Sequence, residues 1–204
     1  MRKMKLALTV LLVLSSNAVS AETDFQGWRI GAGVGFNETD VDRLDGGSID
    51  YEGFETFTLE GGYDINRFLG LKFSVSGGGL EGNRQSDAGG LEGVKSDVRS
   101  FNGGVDLGYT FELRDAHVKP YVEAGGFFSN LNGYEYDDNN GDEAIDGDHN
   151  YNVGGYYYGL GVRTTFKSGI YADVGYTVNS GINDTASGVT VDSQQTRLTV
   201  GYKF

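Results

Sequence analysis

The side chains able to do chemistry in this 204-residue chain are mostly carboxylates. There are two histidines, His117 and His149, and no cysteine, which removes thiolate nucleophiles, thiolate metal sites and disulfides. His149 lies among Asp146, Asp148 and Asn150, acids that could orient it as a base, but the spacing fixes no nucleophile beside it. His117 falls in a short turn. Catalysis is therefore not expected, and nothing in the chain calls for a cofactor. The same stretch, Tyr134 to Asn152, carries Glu135, Asp137, Asp138, Asp142, Glu143, Asp146 and Asp148. Such oxygen donors suit a hard cation, with Asp137, Asp142, Asp146 and Asp148 as the candidate ligands. Gly141 and Gly147 miss the register of a helix–loop–helix calcium loop, so a solvated acidic loop is the expected state.

A second set of charges has a different setting. Arg29, Glu60, Lys72, Asp106, Glu123, Arg163, Asp173 and Arg197 each sit at alternate positions among glycines and small polar residues. If those positions share one enclosed face, the charges must neutralise one another, because an unpaired buried charge is too costly to keep. Lys72, Asp106, Arg163 and Asp173 form the expected centre of that network, with Glu60 and Glu123 as further members. Its chemistry would be a structural plug or a gated barrier to small ions.

Composition indicates what positions these residues. Glycine is 34 of 204 residues and proline is a single Pro120. So much glycine disfavours helices, while 13 Tyr and 12 Phe are too many for a disordered chain. The net charge of −13 argues against nucleic acid as a partner. Arg2, Lys3 and Lys5 precede an apolar run from Leu6 to Leu14 and small residues up to Ala21, the pattern of a signal peptide over residues 1–21. Its removal takes away three positive charges and leaves residues 22–204 as one domain.

Beyond Gly27 the period is two. Eight segments alternate an apolar with a small or polar face: Trp28–Phe36, Phe54–Tyr63, Phe68–Gly77, Val98–Phe111, Val118–Phe128, Gly154–Phe166, Ile170–Val178 and Gln195–Phe204. Most are about the length a tilted strand needs to cross a bilayer. The connections alternate between short (64–67, 112–117, 167–169) and long (37–53, 78–97, 129–153, 179–194), which puts all long ones at one end of a meander. The four long stretches carry −5, −2, −7 and −2, the whole net charge of residues 22–204. Eight strands enclose a space that side chains just fill. Large aromatics from every strand would overfill it, so the glycine-rich face belongs inside and the apolar face outside, against lipid. Aromatics near strand ends, among them Trp28, Phe36, Tyr63, Phe68, Tyr109, Phe111, Phe128, Tyr156, Phe166, Tyr202 and Phe204, suit two interfacial girdles. The predicted fold is an all-β, eight-stranded antiparallel up-and-down transmembrane β-barrel.

Two motifs carry a family resemblance. Leu198-Thr199-Val200-Gly201-Tyr202-Lys203-Phe204 resembles the C-terminal signal of Gram-negative outer-membrane barrels, in which a terminal Phe is read by the barrel-assembly machinery. Gly61-Gly62-Tyr63-Asp64-Ile65-Asn66-Arg67-Phe68-Leu69-Gly70-Leu71 is similar to a strand–turn–strand of OmpA-like barrels. The resemblance implies a cell outer membrane location with both termini in the periplasm, and outer-membrane lipid and lipopolysaccharide as surroundings. No peptidoglycan-binding domain follows Phe204, so the analogy is to the small, barrel-only members, with a monomer expected. In OmpA-like barrels an inward ion cluster acts as a gate. The matching positions are Lys72, Asp106, Arg163 and Asp173, each with its sign reversed. The expected role is structural or surface-interacting through long acidic loops. The alternatives are a narrow porin-like channel, an adhesin, and a lipid A-modifying enzyme.

Overall fold

Alternation of the Trp28 to Phe36 kind, repeated along the chain, rolls into a sheet that closes on itself. The computed structural model describes residues 25–42, 48–85, 91–137, 146–183 and 190–204. The signal peptide expected over residues 1–21 and the candidate ligand Asp142 lie outside the described residues. The strands are β1 (Gly27–Asp42), β2 (Ser48–Asp64), β3 (Leu69–Gln85), β4 (Leu91–Leu107), β5 (Phe111–Glu112), β6 (Ala116–Asp137), β7 (Asp146–Phe166), β8 (Ile170–Asn183) and β9 (Thr190–Lys203). All pair antiparallel. β1 joins β9 and β4 joins β6, so the wall closes with eight long strands, and β5 is a two-residue piece against β6. Closure lets the wall satisfy its own backbone, the condition for a sheet in hydrocarbon.

The strands are longer than their apolar alternation. β6 runs 22 residues and β7 runs 21, where the alternation ends at Phe128 and resumes at Gly154. Between those marks the ladder continues through Asn130↔Asn152 and Gly133↔His149 to Glu135↔Asp146. The stretches expected to be long loops are thus largely extensions of the hairpins. The physical reason is that alternation marks burial against lipid, whereas backbone pairing continues where both faces meet water. A second difference is a break in the segment expected to run unbroken from Val98 to Phe111. Pro120, the fifth residue of β6, stands opposite Tyr109 in the register set by Leu107↔Val122 and Phe111↔Val118. Lacking an N–H, it interrupts the ladder there. On the other side Gly108 and Thr110 bond to the carbonyls of Phe68 and Arg67, at 2.8 and 3.0 Å, and the predicted single strand Val98–Phe111 is split.

The polarity of the two faces is inverted relative to a water-soluble protein. Trp28, Ile30, Val34 and Phe36 on β1, and Tyr156, Tyr158, Leu160 and Val162 on β7, are exposed. Arg29, Glu60, Lys72, Asp106 and Thr199 are buried inside. Above the apolar belt the outward residues turn polar: Glu38, Glu55, Asp97, Arg99, Asn132, Asn152, Asp192 and Gln194 are all exposed. From Trp28 to Phe36 the belt follows the strand for about 26 Å at ~3.3 Å per residue, or about 20 Å of height at a strand tilt of about 40°, the scale of the apolar band of a transmembrane barrel. At the short-turn end, aromatic rings pack in pairs: Trp28 with Tyr63 (5.0 Å between centroids), Phe68 with Tyr109 (5.3 Å) and Tyr202 with Phe204 (5.2 Å). The tightest turn, 167–169, ends on Gly169 at φ 87°, which a side chain would strain.

The belt makes a direct prediction. Leu160→Arg, at mid-belt, should lose about 2–4 kcal/mol of stability and Thr196→Arg, at the upper edge of the belt beside Phe36, about 1 or less. Reversible urea unfolding in lipid vesicles measures both, and equal losses would contradict a lipid-facing belt.

Candidate functional site

Strand parity aims the charged side chains at one another. β1 contributes Arg29, β2 Glu60 and Asp64, β3 Lys72, β4 Asp106, β6 Lys119 and Glu123, β7 Arg163, β8 Asp173, and β9 Arg197 and Lys203. They form two linked tiers. In the tier nearer the short turns, Asp106 accepts from Arg29 at 2.9 Å, from Arg163 at 3.3 Å and from Lys119. Asp64 accepts from Arg29, from Arg163 at 3.3 Å and from Lys203 at 2.8 Å. In the upper tier Glu123 accepts from Lys72 at 2.8 Å and from Arg197 at 3.2 Å. Glu60 lies 3.5 Å from Lys72 and 3.7 Å from Arg197. Asp173 ties the tiers together: it accepts from Arg163 Nε at 3.0 Å and from the Tyr121 hydroxyl at 2.7 Å, and lies 3.7 Å from Arg197 of the upper tier.

Inward glycines make this packing possible. A Cβ on Gly62 would sit 2.6 Å from the Arg29 guanidinium carbon, and one on Gly161 would sit 2.5 Å from the Tyr121 ring. Tyr121, Tyr157 and Tyr171 fill the remaining width and are buried. At the short-turn end the opening is covered by Phe25, which is 3% exposed. Its ring lies 5.1 Å from that of His117 and 4.2 Å beneath the Arg67 guanidinium, and its carbonyl accepts from Lys203 at 2.7 Å.

Above the upper tier the lumen widens into a cavity lined by hydroxyls and amides that bond among themselves. Gln195 donates to Asn37 at 2.8 Å, Asn179 to Ser193 at 3.0 Å and Asn102 to Ser74 at 3.2 Å, while Ser100 and Ser129 share a 2.6 Å bond.

Of the four residues expected at the centre, Asp106, Arg163 and Asp173 are joined through Arg163. Lys72 touches neither acid of that set: it pairs with Glu123 and Glu60, and reaches Arg163's side only through the rest of the network. Glu60 and Glu123, expected as further members, are the acids of the upper tier. Asp64, Lys119 and Lys203 were absent from the expected set. Strand parity signals them, since Asp64 follows Glu60 by four residues, Lys119 precedes Glu123 by four and Lys203 follows Arg197 by six. Phe25 has no such signal. The candidate cation ligands Asp137, Asp146 and Asp148 belong to β6 and β7 beside the hairpin tip, where the register pairs Asp146 with Glu135 and Asp137 with Glu92. Among the described residues no three His, Asp or Glu side chains group in a way that could hold a metal. Phe204, the expected assembly signal, is 72% exposed at the end of β9, and its N–H donates to the Trp28 carbonyl at 2.8 Å.

Residues 6–204 match the family model described as outer membrane protein beta-barrel domain. No curated protein matches the sequence. Among solved structures, the chain is similar to the attachment invasion locus protein Ail of Yersinia pestis (14% identity, 86% of this chain and 98% of that one, TM-score 0.47). It is also similar to Neisserial surface protein A (19% identity, 87% and 97%, TM-score 0.48). A third likeness is to the outer membrane protease OmpT of Escherichia coli (11% identity, 92% and 100%, TM-score 0.45).

The network predicts an asymmetry in mutational cost. Asp106→Asn leaves Arg29, Lys119 and Arg163 short of a buried counter-charge and should lose about 3–5 kcal/mol. Glu112→Gln breaks a pair with Arg67 whose carboxylate side chain is 56% exposed, and should lose less than about 1 kcal/mol. Urea midpoints in vesicles compare the two; equal losses would refute the buried network as a stabilising unit.

Proposed function

The chain belongs to the outer membrane protein β-barrel family, a Gram-negative outer-membrane fold, and from that premise we propose a non-catalytic role in structure and surface interaction. The hairpin end faces outward and both termini face the periplasm. Lipopolysaccharide surrounds the upper belt, the barrel-assembly machinery reads Phe204, and the protein works as a monomer. The observation that carries this reading is the length of the hairpins above the belt. From Phe128 to Asp137, β6 continues for nine residues beyond Phe128, about 30 Å of strand at ~3.3 Å per residue. β7 pairs with it there. A paired ribbon holds its shape in water as a free loop does not, and it raises the most acidic stretch of the chain well clear of the headgroups.

Two observations weigh against the rival roles. A channel needs an open path, yet the lumen between the two tiers is filled by paired charges and three tyrosines, with Asp106 and Asp173 at 0% exposure. A histidine-based hydrolase needs its groups together, yet His117 and His149 lie at opposite ends of the barrel, one against Glu112 and the other beside the hairpin tip.

Deleting residues 132–150 should leave heat-modifiable gel mobility and the urea midpoint unchanged, while cells displaying the shortened chain lose attachment to lipopolysaccharide-coated surfaces in calcium. Attachment equal to that of the full chain would overturn the surface role. In planar bilayers the full chain should pass no steady current; a stable open level would favour the channel.

A further inference from the structure

The cavity above the charged tiers is not used by the ion-pair network, and its walls differ. It leaves about 80 Å³ in which the centre of a water molecule fits, room for several waters or a small organic molecule. The wall from β1, β2, β8 and β9 is hydroxyl and amide, already bonded within itself. The wall from β4, β6 and β7 carries Val98, Phe127, Val153 and Tyr157. Apart from the lumen tyrosines, the inward face is glycine, small polar and charged residues, so Val98, Phe127 and Val153 run against the alternation that builds the barrel. They also come together: Phe127 pairs with Gly155, and Ser129, two residues on, pairs with Val153. The floor is formed by Lys72 and Arg197.

We propose that this vestibule binds a small organic anion bearing an aromatic or branched aliphatic group. Its charged end rests on Lys72 and Arg197, and its apolar end lies against Phe127 and Val153.

The sign of the ligand follows from which charges meet the cavity. Among the described lining residues Lys72 and Arg197 alone carry charge. Their partners Glu60 and Glu123 lie behind them with side chains at 0% exposure, against 3% for Lys72 and 5% for Arg197. A molecule descending the lumen therefore meets cations before carboxylates. Donors remain for it. Lys72 has three N–H groups and two carboxylates near it. Arg197 has five; its Nη2 donates to Glu123 and its Nε is buried 3.7 Å from Glu60, which leaves Nη1 as the nitrogen open to a ligand. Carboxylate or sulfonate oxygens would complete these donors, at a depth where charge-assisted bonds are strong. The apolar wall supplies the other half of the specificity, since an aliphatic or aromatic group placed there displaces water from Phe127 and Val153. A simple inorganic anion would use the floor and leave that wall wet. A sugar would find the hydroxyl wall already bonded.

The test uses the full barrel in lipid nanodiscs, with benzoate as the probe and benzamide and benzamidinium as neutral and cationic counterparts. Amide NMR shifts of Phe127, Val153 and Arg197 should move saturably with benzoate. The two counterparts should bind at least about tenfold more weakly, the range expected for hydrogen bonds to a charged group. Arg197→Gln should weaken benzoate to a similar degree. Ser100→Trp, which fills the cavity without touching the ion pairs, should abolish it, and this variant decides the matter if Arg197→Gln does not fold. Shifts confined to lipid-facing residues such as Phe128 and Leu160 would overturn the proposal. So would equal affinity for benzamidinium, or undiminished binding in Ser100→Trp.

Discussion

Hydrocarbon offers a backbone no hydrogen-bond partner, and nearly everything else in this protein answers to that. A sheet can meet the condition only by closing, and eight strands close around a lumen too narrow for a conventional apolar core. The large apolar side chains are therefore displaced outward, where lipid receives them. The interior is left to glycine, small hydroxyls and charge. Buried Arg29, Glu60, Asp106 and Asp173 are the price of a barrel this small, and their mutual pairing makes them tolerable.

Pairing alone does not explain the order of the network. Eleven ionisable side chains from eight strands meet with the arginines as bridges: Arg29 and Arg163 each reach acids on at least two other strands. A guanidinium has five donors spread over a planar fork, so one arginine can bridge carboxylates on more strands than the compact ammonium of a lysine. The lysines each make one short contact to an acid, Lys119 on Asp106 and Lys72 on Glu123, with Glu60 a longer second neighbour of Lys72. The same charges form the floor of the upper cavity, so the plug that closes the lumen also sets the electrostatics of whatever enters from the hairpin end.

The fold was legible in the sequence because a period of two has only two faces. Once Trp28, Ile30, Val34 and Phe36 share one and Arg29, Gly31, Gly33 and Gly35 share the other, the strand and its orientation follow. The hairpin extensions were not legible, because beyond Phe128 the apolar positions change parity: Leu131, Tyr151 and Val153 fall among Asn130, Asn132 and Asn152 at the opposite parity from Phe128 and Tyr156, so the outward apolar alternation stops there. The break at Pro120 could be read only with the register, since a missing N–H matters only if a partner faces it. Membership of the charged face was legible by parity, and parity also indicates Asp64, Lys119 and Lys203.

Composition and spacing by themselves determined the class of protein: an acidic, cysteine-free, glycine-rich chain whose alternation demands lipid on one face and a filled lumen on the other. They determined which side chains point inward, because direction along a strand is a local property. Which inward charge meets which was decided only by closure. Lys72 meets Glu123 across 51 residues and Arg163 meets Asp64 across 99, distances set by strand stagger and barrel shear, which no local pattern encodes. The same holds for the gathering of Phe127, Val153, Lys72 and Arg197 around one cavity. Each residue has an ordinary place in its own strand, and the curvature of the wall brings them within reach of a single ligand.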